Sequence, residues 1–151
     1  MKEPVWIVGD ICIAIHRRVI DRFGGLDAGV RDENLFQAAL ARPLNKWHYD
    51  EPRPDIFALA AAYAFGLAKG HVFHDGNKRT AYVVAMTFLA VNGIECEPSQ
   101  ADIVATMVAL AEGTIGEVDL ANWLRRHRIG GAGLSETKAP AIRRTRLARR
   151  P

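Results

Sequence analysis

From Asp10 to Phe23 the apolar residues Ile11, Ile15, Val19 and Phe23 recur every four positions, the spacing of a helix with one buried face. Asp10 is placed to cap this helix and Gly24-Gly25 to end it. After the turn Asp27-Ala28-Gly29, Asp32 can cap a second helix with Leu35, Phe36, Ala39 and Leu40 inward. Pro43 is expected to stop that helix, because proline has no amide donor and its ring crowds the preceding turn. Residues Pro43 to Pro54 then read as an irregular loop. A third helix starts near Pro54 or Asp55 and runs through Ile56, Leu59, Tyr63 and Leu67 to Lys69, with Gly70 as its C-terminal cap.

The segment Asn77 to Val91 is apolar on every side after Lys78 and Arg79, which predicts a central, buried helix closed by Asn92-Gly93. Ser99 with Asp102 three residues on reads as a capping box, opening a fifth helix with Ile103, Met107 and Leu110 inward and Gly113 as its stop. Glu117 to Arg128 makes a sixth around Leu120, Trp123 and Leu124, and Val5 to Val8 alone looks strand-like. The expectation is an all-α domain over residues 1–128, about six helices around one buried central helix.

Composition changes this picture only at the C-terminus. Residues 1–128 carry 14 Lys and Arg against 16 Asp and Glu, whereas residues 129–151 carry 6 against 1, so the net charge of +3 belongs to the tail. Gly130, Gly131 and Gly133 open this tail and Arg143, Arg144, Arg146, Arg149 and Arg150 load its end, a composition that buries little and repels itself. A flexible basic extension is expected, and it offers the one route to a nucleic-acid or acidic partner; it has no interleaved aromatics for base stacking. The longest uncharged run, Thr80 to Ile94, is 15 residues, too short to cross a bilayer. Cys12 and Cys96 form no metal or disulfide pattern, which fits a cytoplasmic protein with no membrane partner.

The candidate chemistry is concentrated in His71-Val72-Phe73-His74-Asp75-Gly76-Asn77-Lys78-Arg79-Thr80. It falls at the start of the fourth predicted helix, where free amides and the helix dipole attract anions and Gly76 allows close backbone approach. Asp75 offers a hard oxygen for Mg²⁺, Lys78 and Arg79 offer charge for phosphate, and His71 can exchange a proton near neutral pH. Phe73 is expected to point inward and His74 to be exposed. His16 reads as a structural histidine, and Arg31 with Asp32 as a cap and its ion pair.

The order of these residues resembles the Fic-like family, and within it the death-on-curing (Doc) toxins, whose motif runs His-x-Phe-x-Asp-(Gly/Ala)-Asn-Lys-Arg-Thr. Gly24-Gly25-Leu26, Val30-Arg31-Asp32-Glu33, Ala39-Leu40-Ala41-Arg42-Pro43 and Leu120-Ala121-Asn122-Trp123-Leu124 are similar to further segments of that family. The resemblance implies a Fic-like helical domain. Fic adenylyltransferases carry a second glycine where this chain has Lys78 and another arginine where it has Tyr82, whereas Doc-type proteins share the lysine and transfer a γ-phosphate. It therefore implies a toxin that phosphorylates a Thr or Ser hydroxyl on elongation factor Tu and arrests translation. ATP would be co-substrate, with His71 as general base, Asp75 on Mg²⁺, and Gly76, Asn77, Lys78 and Arg79 around the polyphosphate.

The family's inhibitory pattern, Ser/Thr-x-x-x-Glu-(Gly/Asn), is not completed: Glu112-Gly113 follows Val108 and Glu33-Asn34 follows Gly29. Restraint is then expected from a separate antitoxin. Three other readings stay open at this stage. One is a Fic-type adenylyltransferase. Another is a metal phosphohydrolase using His71, His74 and Asp75, completed by His48 and by Asp102 or Asp119. The third is an inactive binding module.

Overall fold

The computed structural model describes residues 1–130. Six helices follow one another as α1 (Gly9–Phe23), α2 (Glu33–Tyr49), α3 (Ile56–Lys69), α4 (Asn77–Val91), α5 (Gln100–Glu112) and α6 (Glu117–Arg126), and no strand occurs among the described residues. Beyond residue 130, the expected basic extension lies outside the described residues. No helix among them is long and apolar enough to cross a membrane. Cys12 and Cys96 are free thiols, pushed up to about 12 and about 11 by burial.

The side chains of Asp32, Asp55 and Ser99 accept the amides of Leu35, Ala58 and Asp102 at 3.1, 2.9 and 3.1 Å, so these helices start where the capping residues stand. Asp10 does not cap: the cap lies two residues earlier, on an extended Val8, and Asp10 falls in the first turn of α1. Val5 to Val8 is extended but pairs with no strand. Instead the Tyr63 hydroxyl accepts the Ile7 amide at 2.9 Å and donates to the Ile7 carbonyl at 3.2 Å, and the Asn92 carboxamide brackets Val5 in the same way.

Two expectations are corrected. Pro43 does not stop α2, which continues through it to Tyr49. Phe36, Ala39, Pro43 and Trp47 form one buried face, and Trp47 packs edge-on against Trp6 at 6.4 Å. An interior proline costs about 3 kcal/mol, whereas burying a tryptophan removes about 150–250 Å² from water, worth about 4–6 kcal/mol, so packing prevails. The second correction concerns the central helix, which is α3 and not α4. Phe57, Leu59 to Ala64, Leu67 and Ala68 are all buried, and α3 contacts α2, α4, α5 and α6. Its alanines let neighbours approach from several sides. At Gly66 a Cβ would stand 3.0 Å from Cα and Cβ of Ala39, so α2 and α3 touch there almost backbone to backbone. In α4, by contrast, Val91 is exposed and Val83 and Thr87 line an open groove of about 750 Å³ against α1.

Removing the Tyr63 hydroxyl would leave the Ile7 amide and carbonyl without their partner in a buried setting. Tyr63→Phe is expected to cost about 1–3 kcal/mol in urea unfolding, with the helical circular-dichroism spectrum retained.

Candidate active site

The motif segment leaves α3 at Gly70 and enters α4 at Asn77, and its residues alternate sharply in exposure. Val72 and Phe73 are buried; His71, His74, Asp75, Lys78 and Arg79 are exposed. Phe73, 1% exposed, lies parallel to the His16 ring at 3.9 Å and tilted against Phe36 at 6.0 Å. The Asn77 carboxamide accepts the Phe73 amide at 2.8 Å and donates to the Phe73 carbonyl at 2.9 Å. Asn77 thus closes the loop onto its own helix in this conformation. Around Phe73 a short antiparallel bridge to Val30 forms, with the Arg31 amide donating to the Val72 carbonyl at 2.8 Å.

His71 stands on the outer side of this bridge with φ +49°, a left-handed conformation that a residue with a side chain adopts only when its surroundings enforce it. The backbone there is gripped by Arg31, whose Nε donates to the His71 carbonyl at 2.7 Å. Arg31 is therefore no ion partner of Asp32: it holds the backbone beneath His71, and Asp32 alone makes the cap. The His71 ring has no hydrogen-bond partner among the described residues and is exposed.

Asp75 is held as firmly as it is exposed. Its Oδ2 accepts the Leu26 amide at 3.0 Å and its Oδ1 accepts the Gly76 amide at 2.8 Å. These two amides, Leu26 first, hold its carboxyl below the usual aspartate range, with smaller help from the charges of His16 and Lys78. Gly25 makes room for this grip, since a Cβ there would meet Asp75 Oδ2 at 2.9 Å. Gly76 caps α4 at φ +76°, a conformation strained for a residue with a side chain, and a Cβ on it would press on Ile20 Cδ1 at 3.0 Å, so glycine is the residue that fits most easily.

The intrahelical ladder begins with the Thr80 amide on the Gly76 carbonyl at 3.0 Å, which leaves the amides of Asn77, Lys78 and Arg79 ahead of it as anion donors. Lys78 is exposed beside Asp75. The Arg79 guanidinium lies 3.8 Å from the centroid of the Phe23 ring, which is half exposed at the mouth of the α1–α4 groove. One short segment thus gathers an unengaged imidazole, a carboxylate kept ionised, free amides and two cations.

Among the described residues no three His, Cys, Asp or Glu side chains converge on one point. Of the completions that a phosphohydrolase would need, Asp102 stands 3.7 Å from His127 and Asp119 accepts the Gly116 amide at 2.9 Å, while His48 is exposed on α2 beside Tyr49. A lone ionised carboxylate suits instead an Mg²⁺ that arrives on phosphates, since this ion keeps its waters and takes one or two protein carboxylates. Sequence reasoning did not connect His16 and Arg31 to the site. Each acts on a backbone carbonyl, and a carbonyl has no signature in a sequence.

The model of the Fic/DOC family matches residues 6–89. A protein of Escherichia phage P1 named Protein kinase doc is 38% identical over 116 residues, 76% of this chain and 88% of that protein. Toxin Doc of Mycolicibacterium smegmatis is 44% identical over 73 residues, 48% of this chain and 55% of that protein.

Two outcomes are expected from the Asp75 grip. Gly25 has φ +123°, so Gly25→Ala combines backbone strain with the clash at Asp75 and should lower stability by about 1–3 kcal/mol, read from the melting temperature. A carboxyl held low in the fold contributes stability that is present above its unfolded pKa and is lost as pH falls through the folded value. In a carbon-13 NMR titration the Asp75 side chain should accordingly titrate below an ordinary aspartate, and the Leu26 amide signal should shift with the same midpoint.

Proposed function

The chain belongs to the Fic/DOC family, and from that premise and the geometry of its motif loop we propose that it is a Doc-type toxin that transfers the γ-phosphate of ATP to a Thr or Ser hydroxyl. The observation that carries the reading is Lys78 in the first turn of α4, directly after the free amides begin and beside the ionised Asp75. A long cation at that position occupies the approach that a glycine would leave to a nucleotide's inner phosphates, and it favours a pose that presents the terminal phosphate. The relative named Protein kinase doc supports the same choice.

In the proposed reaction His71 takes the proton of the target hydroxyl as its oxygen bonds to the γ-phosphorus and the bond to the bridging β–γ oxygen breaks, releasing ADP. Arg31 keeps His71 in place for this. The α4 amides, Lys78 and Arg79 neutralise phosphate charge, so the protein's contribution is positioning and electrostatics. Mg²⁺, when bound with ATP, spreads the charge of the phosphates; Asp75 is the carboxylate to hold it. By resemblance the target is elongation factor Tu, the consequence is arrest of translation in the cytoplasm, and the restraint is a cognate antitoxin.

The test is transfer from labelled ATP to protein in a bacterial extract. Label on the γ-phosphate should transfer and label on the α-phosphate should not; transfer should require Mg²⁺. His71→Ala should lower the rate about 10²–10⁴-fold without change in the helical spectrum, as expected for loss of a general base. Strong α-label transfer by the wild-type protein would overturn the kinase reading in favour of adenylylation.

A further inference from the structure

His16 lies on α1, 2% exposed, far in sequence from the loop it touches. Its Nε2 is 2.9 Å from the carbonyl oxygen of Asp75. A carbonyl only accepts, so this nitrogen carries the proton and donates. The same ring is stacked on Phe73, and a Cβ built on Gly76 would stand 3.8 Å from its Nε2. One side chain therefore touches the loop at two places, the Phe73 ring and the Asp75 carbonyl.

The carbonyl of Asp75 and the amide of Gly76 belong to one planar trans peptide and point in opposite directions. Where the carbonyl is drawn toward α1, the Gly76 amide must turn the other way, and there it meets Asp75 Oδ1 at 2.8 Å. Glycine alone would not hold that arrangement, because its backbone accepts either sign of φ at little cost. A peptide turned over would aim its carbonyl oxygen at the carboxylate and at any phosphate seated on α4. We propose that His16 is a positioning residue that latches the Asp75–Gly76 peptide, so that an N–H and not a C=O faces the Asp75 carboxylate, which thereby stays where Mg²⁺ on a nucleotide can be held. The consequence for Mg²⁺ and nucleotide rests on the proposed phosphotransfer; the latch itself does not.

Two variants separate its parts. His16→Phe keeps a ring to stack on Phe73 and removes the donor, whereas His16→Gln loses the ring and keeps an N–H at the same reach along the side chain. Hydrogen exchange of the Gly76 and Leu26 amides, followed by NMR without nucleotide, should speed up in His16→Phe and stay near wild type in His16→Gln. In the transfer assay His16→Phe should raise the KM for Mg²⁺·ATP about tenfold, the lower end of what losing a group that orients a metal ligand costs, with kcat unchanged, and His16→Gln should restore most of it. Unchanged amide exchange in His16→Phe, or equal loss of protection in both variants, would overturn the latch. Should His16→Phe not fold, His16→Gln decides alone: protected Gly76 and Leu26 amides support the proposal and exposed ones refute it. If the wild-type protein transfers no phosphate, the kinase reading fails and amide exchange still decides the latch.

Discussion

The burial of a single ring, Phe73, is the constraint from which the site follows. It is the apolar anchor of an otherwise polar loop, clasped between His16 and Phe36, with its amide and carbonyl both taken by Asn77. Once that ring is inside, the positions beside it have no freedom to choose a face. His71 and Asp75 each lie two residues from Phe73, and the short bridge to Val30 and the turn into α4 carry both to the outside. Burying a phenylalanine is worth about 1.5–3 kcal/mol, and two hydrogen bonds at about 0.5–1.5 kcal/mol each add to it. Those terms outweigh the cost of a left-handed His71, about 1–3 kcal/mol. Strain at His71 is thus balanced by packing two residues away.

This anchoring works only because the helices behind it are fixed. The alanines of α3 let α2 and α4 each pack closely on it, so Phe36 on α2 reaches Phe73 in the loop that leads into α4. On the other side, α1 supplies His16 and Ile20, and the turn after it supplies Gly25 and the Leu26 amide. Three separate stretches of backbone thereby converge on ten residues. The fixed groups are those whose direction matters: the Asp75 carboxylate, the Gly76 peptide and the first amides of α4. Long side chains are left to adjust.

Much of this was legible in the sequence, and the reason differs from residue to residue. Asp32, Asp55 and Ser99 announce helix starts because capping is local chemistry, and the reactive loop is legible because its residues are contiguous. Pro43 misleads because its cost is local while the gain that outweighs it, Trp47 against Trp6, spans the chain. The all-apolar face of α4 suggests the centre of the fold, but small side chains and not large ones permit a helix to be surrounded, and α3 has them. His16 and Arg31 are illegible for a third reason: what they hold is main chain, 59 and 40 residues away.

Arg79 shows how a site can be organised and still adjustable. Its guanidinium rests over Phe23, a ring 51% exposed, where a cation–π contact is worth about 0.5–1 kcal/mol. A charge-assisted hydrogen bond to a phosphate oxygen is worth about 1.5–3 kcal/mol, so the resting contact orients the arginine without competing seriously for it. Asp75 follows the opposite logic. Its two amide partners donate to the ionised form, and nothing in the proposed reaction at the γ-phosphorus requires them to let go. In the proposed phosphotransfer the loop would therefore divide its labour by the stiffness of each attachment: the carboxylate offered to a small, geometrically demanding cation is clamped through main chain, and the arginine offered to a moving phosphate is parked on a surface it can leave.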